Sequence, residues 1–377
     1  TSQALSLSNF RGPLIEAMRE QGYKVFALAP DFSDDTRAAV MEFGAVPVDI
    51  FMERAGLNPV NDARTLFSIS AALKRLRPQI VLSYFAKAAI YGTLAAWLTG
   101  TTKRLVMLTG LGYVYTSAGG KRTVGKTTLR FLVSFMFRYV LSRAHVVVFQ
   151  NEDDMSEFIM RRMVSRQDAV LVKGTGVDLT VWKPPPSFPK EITFCMAARL
   201  LREKGVGEYI SAARIVKRRF PRVRFILLGD TDLNPTSYRQ EEVRTWVAEG
   251  VIEWPGHVDV RPWLAKSSVF VLPSYREGVP RSTQEAMAMG LPIITTDVPG
   301  CRETVIDGEN GFLVPPRDVY ALAERMERFV LDEPLLERMG TRSRDLAVER
   351  FDVSGINRQI INLLDSGSTL REGRGVP

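Results

Sequence analysis

The sequence predicts an α/β protein of two doubly wound, parallel-sheet domains. Three observations carry this. Short β-branched runs alternate with stretches of helical period along nearly the whole chain. A Pro-rich stretch, "VWKPPPSFPKE" (181–191), divides those runs into two series. The 377 residues are also too many for one ordinary core.

In chain order, the first series opens on a helix at "FRGPLIEAMREQG" (10–22), followed by a strand at "KVFALA" (24–29). A second helix at "ARTLFSISAALKRLR" (63–77) leads to strands "QIVLSY" (79–84), "RLVMLT" (104–109) and "HVVVFQ" (145–150). These runs have no regular polar alternation, so both faces are covered, as in a parallel sheet. The second series has strands at "EITFCMA" (191–197), "VRFILLG" (223–229), "SVFVLP" (268–273) and "LPIITT" (291–296). The expected domains are 1–180 and 191–352, joined by a linker at 181–190. A helix over 353–366 is expected to return to the first domain, and 367–377 reads as a mobile tail.

A doubly wound domain normally opens on a strand, yet the first helix follows "TSQALSLSN" almost at once. We therefore expect a further apolar strand ahead of Thr1, central to the first sheet. Without it, the strands on either side would hold unpaired backbone groups. An opening on Thr1 rather than Met fits a processed or truncated product.

The net charge of +8 is concentrated. Between Asp62 and Glu152 there are thirteen Lys and Arg and no Asp or Glu, so this stretch alone exceeds the whole net charge. Such a basic face suits an anionic partner (phosphate, nucleic acid or membrane surface), the alternative being a solvated basic surface. Within it, Lys126, Arg130, Ser134, Arg138 and Ser142 recur every four residues and leave a wide apolar arc. Either this helix is mostly interior, or part of it dips into an anionic bilayer with Lys103, Arg104, Lys121, Arg122 and Lys126 facing the surface. No apolar run reaches the roughly 18 residues of a membrane-spanning helix. Two separated cysteines, Cys195 and Cys301, have no metal-ligand spacing and favour a reduced, cytoplasmic setting. The sequence carries no signal for oligomeric state.

The candidate chemistry lies in the second series. In "AARLLREKGVGEYI" (197–210) a strand feeds a turn with Arg199 and Lys204, and a helix starts near Gly205. Two cations beside free helix N–H groups suit a diphosphate, although Arg and Lys before a helix are also common as plain surface. The next strand–helix joint brings Gly229 to the C-terminal edge of the same sheet, where open α/β sheets bind ligands. "VLPSYREGVPRSTQEAMAMGLP" then puts Glu277 in a loop at that edge, with Gly278, Val279 and Pro280 keeping the backbone open. Glu285 falls about one turn into the following helix. A carboxylate there can accept bonds from a vicinal diol such as ribose, and Glu277 from a second sugar. The plainer reading of Glu285 is a carboxylate favoured by the helix dipole, worth about 0.3–1 kcal/mol.

Taken together and in this order, Arg199, Lys204, the Gly-ended strand, "EGVP" and a second Glu eight residues on resemble glycosyltransferase family 4. The likeness continues through "PGCRETVIDGENGFLVPPRD" (299–318) and covers nearly all of 185–350. "NFRGPLIEAMREQGYKV", "RPQIVLSYFAKAAIYG", "LTGLGYVY" and "VVVFQNEDD" are similar to the members that build bacterial surface glycans on lipid carriers. The resemblance implies a GT-B architecture, two Rossmann-like domains facing across a cleft, and a retaining hexosyltransferase that uses a nucleotide sugar. It implies that Arg199 and Lys204 hold the donor diphosphate, with Glu277 on the transferred sugar as the third catalytic residue. Gly229, Gly278, Val279, Pro280 and Glu285 would bind the rest of the donor, and Arg11, Lys87 and Tyr113 would lie on the acceptor side. The implied donor is a UDP-linked hexose or N-acetylhexosamine, and the acceptor a polyprenyl-diphosphate-linked sugar or glycan. The enzyme would work peripherally on the inner face of the cytoplasmic membrane. No cofactor or metal is expected, since two cations already face the leaving diphosphate.

Two departures stand out. Only Gly12 is available for a Gly-rich turn before the first helix, and the histidines are His145, within a strand, and His257, in a loop. Neither reads as a proton carrier, so no protein base is assigned. Two other classes compete. A nucleotide-sugar epimerase shares the architecture but needs acid/base residues in its cleft. A nucleic-acid-binding protein would use the basic half, yet no such module or aromatic–basic interleaving is present, so no nucleic-acid partner is expected.

Overall fold

Helix and strand alternate because the sequence switches between their two periods, and local capping sets several of the boundaries. The computed structural model describes residues 1–53, 58–110, 124–186, 189, 191–232 and 234–365. The described residues divide into two units. One runs to Thr175 and resumes at Val353, and the other spans Gly176–Asp352.

The first unit opens on α1 (Leu5–Glu20), followed by β1 (Val25–Ala29), α2 (Asp34–Glu42) and β2 (Ala45–Asp49). A capping box between Ser33 and Thr36 fixes the start of α2. Next come α3 (Pro59–Leu76), β3 (Ile80–Tyr84), α4 (Ala86–Leu98), β4 (Lys103–Leu108) and α5 (Val124–Leu141). The unit's sheet ends with β5 (Val146–Phe149), α6 (Glu152–Met160) and β6 (Ala169–Leu171). Asn58 and Asn151 cap α3 and α6 with their side-chain oxygens. All pairings are parallel, but they form two sheets, β1-β2 and β3-β4-β5-β6.

In the second unit β7 (Thr193–Ala197), α7 (Val206–Arg219), β8 (Arg224–Leu228), α8 (Gln240–Ala248) and β9 (Glu253–Gly256) come first. They are followed by α9 (Arg261–Leu264), β10 (Val269–Leu272), α10 (Arg281–Ala288), β11 (Ile293–Thr296) and β12 (Gly311–Val314). Helices α11 (Val319–Leu331) and α12 (Glu333–Arg350) complete it. The six strands lie parallel in the order β12-β11-β10-β7-β8-β9. From β7 the chain steps outward to β9, then crosses to β10 on the other side of β7 and steps outward again. Between β7 and β10 the winding reverses, which is where such sheets bind ligands. Both strands are buried along their whole length, and Phe194 stacks on Phe225 at 5.2 Å. The buried Tyr209 hydroxyl meets the carbonyls of Phe194 and Ile226 at 2.9 and 3.0 Å, so the phenol is not left unsatisfied. The chain ends in α13 (Val353–Asp365), which lays Ile356, Ile360, Ile361 and Leu364 into the first unit's core beside Leu14 and Ile15 of α1.

The basic stretch departs from the sequence reading at two residues. Lys103 does not face outward. It is buried, its Nζ donates to the Leu364 carbonyl, and burial lowers its pKa. Arg104 is half-buried and spends its guanidinium on the carbonyls of Arg143 (2.7 Å) and Thr101 (2.6 Å). Both open β4, where a cation can satisfy chain ends instead of meeting solvent. On α5, Phe137, Val140 and Leu141 are buried, whereas Phe135 and Tyr139 are exposed. Lys121 and Arg122, the side chain of Lys126 and the tail 367–377 lie outside the described residues. Among the described residues no helix is long and apolar enough to cross a membrane.

Candidate active site

Parallel strands deliver their following loops to one edge, so the turns after β7, β8, β10 and β11 converge at the C-terminal edge of the second unit's sheet. After β7 a short 3-10 turn, Arg202–Lys204, carries the chain to Gly205 and into α7. After β10 the loop through Glu277 enters α10 at Pro280. No side chain caps either helix N-terminus. Both therefore present N–H groups and the positive end of a helix dipole to this edge.

Lys204 and Glu277 meet there, Nζ to Oε1 at 2.5 Å, with side chains 19% and 12% exposed. The pair joins the β7 and β10 turns directly above the reversal of winding. Tyr275 adds to the joint, its N–H donating to the Glu203 carbonyl (2.9 Å) and its hydroxyl to Glu208 (2.5 Å). One turn into α10, the Arg281 Nε donates to Glu285 Oε1 at 2.8 Å. Burial raises the Glu285 pKa, and the Arg281 charge and hydrogen bond only partly oppose it. Arg199 is half-exposed and pairs with Asp232 at 3.2 Å, from the loop after β8.

The backbone of the Glu277 loop is held from two sides. Its N–H donates to the Pro299 carbonyl at 3.1 Å. Gly300 has φ +80°, and a Cβ there would stand 2.2 Å from the Gly278 carbonyl oxygen and 2.3 Å from that of Glu277. Only glycine permits this approach. Gln284, fully buried, donates to the Val279 carbonyl at 3.2 Å and accepts from the Gly176 N–H at 3.0 Å. On the other flank Gly229 has φ +126°, and a Cβ would lie 1.9 Å from the Ala198 oxygen. The β8 loop can thus close onto the β7 turn.

The structure gathers Arg199, Lys204, Gly229, Glu277, Gly278, Val279, Pro280 and Glu285 on one edge. The two glutamates are not left for ligand hydroxyls alone to partner. Lys204 and Arg281 already do so, and in each glutamate the second carboxylate oxygen has no hydrogen-bond partner among the described residues. A carboxylate has acceptor capacity for both a cation and a hydroxyl. Sequence reasoning missed Arg281, Asp232 and the Pro299–Gly300 buttress. The i,i+4 spacing of Arg281 and Glu285 was a usable signal, whereas nothing in the sequence linked Arg199 to Asp232.

Two of the three residues expected on the acceptor side, Arg11 and Lys87, are engaged by other residues of the first unit. Arg11, on α1, is buried, its Nη2 on the Met107 sulfur at 2.8 Å and its guanidinium 5.1 Å from the Tyr84 ring centroid. Lys87 is held by Asp62 at 2.8 Å with both side chains nearly buried. Tyr113 lies outside the described residues. His145 accepts from the Arg104 N–H at 3.2 Å, a structural contact. No group of three or more His, Cys, Asp or Glu among the described residues is arranged to hold a metal ion.

Residues 191–332 match the family "Glycosyl transferases group 1" and residues 10–175 match "Glycosyl transferase 4-like domain". The chain is 27% identical over 374 residues to the N,N'-diacetylbacillosaminyl-diphospho-undecaprenol alpha-1,3-N-acetylgalactosaminyltransferase of Campylobacter jejuni, covering 96% of each. It is 25% identical to the UDP-Gal:alpha-D-GlcNAc-diphosphoundecaprenol alpha-1,3-galactosyltransferase of Escherichia coli, covering 90% of this chain and 91% of that one. In fold it is similar to Anabaena HepE, solved in complex with UDP, with a TM-score of 0.75 at 18% identity over 97% and 98% of the two chains. The sucrose-phosphate synthase of Thermosynechococcus elongatus gives a TM-score of 0.76 at 19% identity over 93% and 90%.

Proposed function

Because the chain belongs to the group 1 glycosyltransferases, a glycosyl transferase 4-like domain preceding the group 1 domain, we propose that it moves a sugar from a nucleotide donor onto a polyprenyl-diphosphate-linked saccharide for surface-glycan synthesis. The observation that carries the donor half of this reading is the Lys204–Glu277 pair, set between two uncapped helix N-termini where the sheet reverses. The donor we assign is a UDP-linked hexose or N-acetylhexosamine: the name of the Escherichia coli relative gives a UDP-linked galactose, and that of the Campylobacter jejuni relative an N-acetylgalactosaminyl group.

Lys204, Arg199 and the N–H groups of α7 and α10 take the diphosphate. Glu285 offers its second oxygen to a ribose hydroxyl, and Glu277 offers its own to the transferred sugar. As the bond from the anomeric carbon to the phosphate oxygen breaks, negative charge grows on the diphosphate, and the two cations stabilise that charge most in the transition state. The acceptor hydroxyl attacks from the same face and gives its proton to the departing phosphate oxygen, with retention of configuration. No carboxylate is assigned as a nucleophile.

The test supplies a panel of nucleotide sugars with an undecaprenyl-diphosphate-linked saccharide and follows the product by NMR. A UDP-linked hexose or N-acetylhexosamine should be consumed with the anomeric configuration retained. Since Lys204 and Arg199 supply the positive charge, EDTA should leave turnover unchanged. Product of inverted configuration would overturn the mechanism, and failure of every sugar donor would overturn the function.

A lipid-linked acceptor also requires a way onto the membrane. Exposed Trp97, Phe135 and Tyr139 lie near the basic stretch, with Arg143 stacked 4.7 Å from the Trp97 ring and 3.5 Å from the Tyr139 ring. Aromatic groups beside cations suit an anionic interface, and the inner face of the cytoplasmic membrane is the place we assign. The protein should co-sediment with anionic liposomes, less so as salt rises. Absence of binding, or binding unchanged when Lys121, Arg122 and Lys126 are all replaced by Glu, would reject this placement.

A further inference from the structure

A groove of about 840 Å³ opens on the first unit, at the edge where β5 and β6 begin. The end of α5, the end of α6 and the 3-10 turn Arg166–Asp168 that leads into β6 enclose it. Parallel strands deliver their following loops to the other edge, so the groove lies away from any ligand held there. Leu141 and Met163 are buried and, with half-buried Ile159, form an apolar floor. Arg138, Arg162 and Arg166 are exposed and form the rim.

The three guanidiniums are weakly held. Among the described residues Arg138 and Arg162 have no side-chain partner, and Arg166 has the Met155 sulfur at 3.6 Å, a weak acceptor. Asp168 is the one carboxylate lining the groove and is itself engaged, so the lining carries a net charge of +2 (3 − 1). A helix dipole favours cations at the ends of α5 and α6. It accounts neither for Arg166 nor for the backbone of Arg162. Arg162 has φ +54° and follows the α6 C-cap, its N–H on the Ile159 carbonyl and the Met163 N–H on that of Phe158, both at 2.9 Å. This is a Schellman turn, and glycine is its unstrained residue at that position. The chain sets a guanidinium there instead.

Exposed apolar groups continue the groove outward. Phe135, Arg138, Tyr139 and Ser142 share one face of α5 by their spacing, and Met160 ends α6 beside the arginines. Phe135, Tyr139 and Met160 are all exposed. An arginine fork matches a phosphate through two parallel N–H bonds, and an apolar floor edged by exposed apolar side chains suits hydrocarbon. We propose that the groove binds the phosphate head of one anionic diacyl phospholipid, with the start of the acyl chains over Leu141, Ile159 and Met163. The choice of a lipid rests on the membrane placement given above; the phosphate site does not. A bound lipid fixes which face of the first unit meets the bilayer, which diffuse charge alone does not do.

The test titrates the full chain with dihexanoyl phosphatidylglycerol below its micelle concentration and reads binding by calorimetry, with saturating UDP present to cover the donor edge. Parallel titrations use dihexanoyl phosphatidylcholine, whose head has no net charge, and glycerol 1-phosphate, which has no chains. The anionic lipid should bind at one saturable site, about tenfold or more tighter than either. Arg162→Gly removes a guanidinium where glycine is favoured, so Tm should hold or rise. Affinity for the anionic lipid should fall about tenfold or more, as for one lost charged hydrogen bond. The double variant Arg138→Gln/Arg166→Gln should weaken it further with Tm unchanged. Equal affinity for glycerol 1-phosphate would assign the groove to a free phosphate and overturn the lipid, and equal affinity for phosphatidylcholine would overturn the role of the arginines. No saturable binding, or binding that both variants leave unchanged, would overturn the inference. If liposome co-sedimentation survived that result, the membrane placement would stand without the groove. Short-chain binding without co-sedimentation would keep the groove and reject the placement.

Discussion

Lys204→Ala is expected to lower kcat by about 100- to 1000-fold, the range lost when one preorganised donor to a developing oxyanion is removed. The reason lies in the position of Lys204. It sits at the joint of β7 and α7, facing the uncapped start of α10, so its charge acts where a leaving diphosphate would gain charge. The substitution also has a structural cost. It strands Glu277, only 12% exposed, without its cation, and removing one member of a nearly buried pair destabilises. A drop in activity with a drop in Tm would therefore be ambiguous for the single variant.

The double variant Lys204→Ala/Glu277→Ala separates the two effects. If the pair only staples two loops, removing both members relieves the stranded carboxylate and should restore both Tm and much of the turnover. If Lys204 stabilises the leaving diphosphate, Tm recovers and kcat does not. Recovery of turnover in the double variant to within about tenfold of wild type would sink the donor-site reading, since a tenfold change corresponds to only about 1.4 kcal/mol of barrier.

The part of the fold that the sequence revealed was its interior. The eight strands read as buried runs are all present, from Val25–Ala29 to Ile293–Thr296, because strands covered on both faces are continuously apolar. The four strands not read, β2, β6, β9 and β12, each end a sheet. An edge strand needs apolar groups on fewer sides and tolerates proline, and Pro47 and Pro255 lie inside two of these four. At the site, the donor-edge residues were readable because they follow strands at fixed offsets. The basic residues were not. A lysine in a sequence shows its charge but not its partner, and Lys87, Lys103 and Arg11 proved to be bound inside the first unit by Asp62, a helix-end carbonyl and a methionine sulfur.

Glu285→Gln is expected to weaken UDP binding while leaving the fold at least as stable. The carboxylate is nearly buried, and burial outweighs Arg281 in setting its pKa, which lies above the ordinary value of 4.5. A carboxyl raised in the folded state favours folding below its unfolded pKa and loses that contribution as pH rises through the folded pKa. At neutral pH the ionised group therefore costs stability. Glutamine removes that cost, and its side-chain oxygen can still accept the Arg281 Nε–H bond. The variant should match or exceed wild-type Tm at pH 7, with the difference closing below about pH 4, where the wild-type carboxyl is protonated in both states. A charge-assisted bond to a ribose hydroxyl is worth about 1.5–3 kcal/mol, so UDP affinity should fall by about 10- to 150-fold. Thermal shift with and without UDP across pH reads both quantities in one experiment. A variant that lost Tm but kept its UDP-induced shift would mark Glu285 as a structural partner of Arg281 and remove it from the donor site.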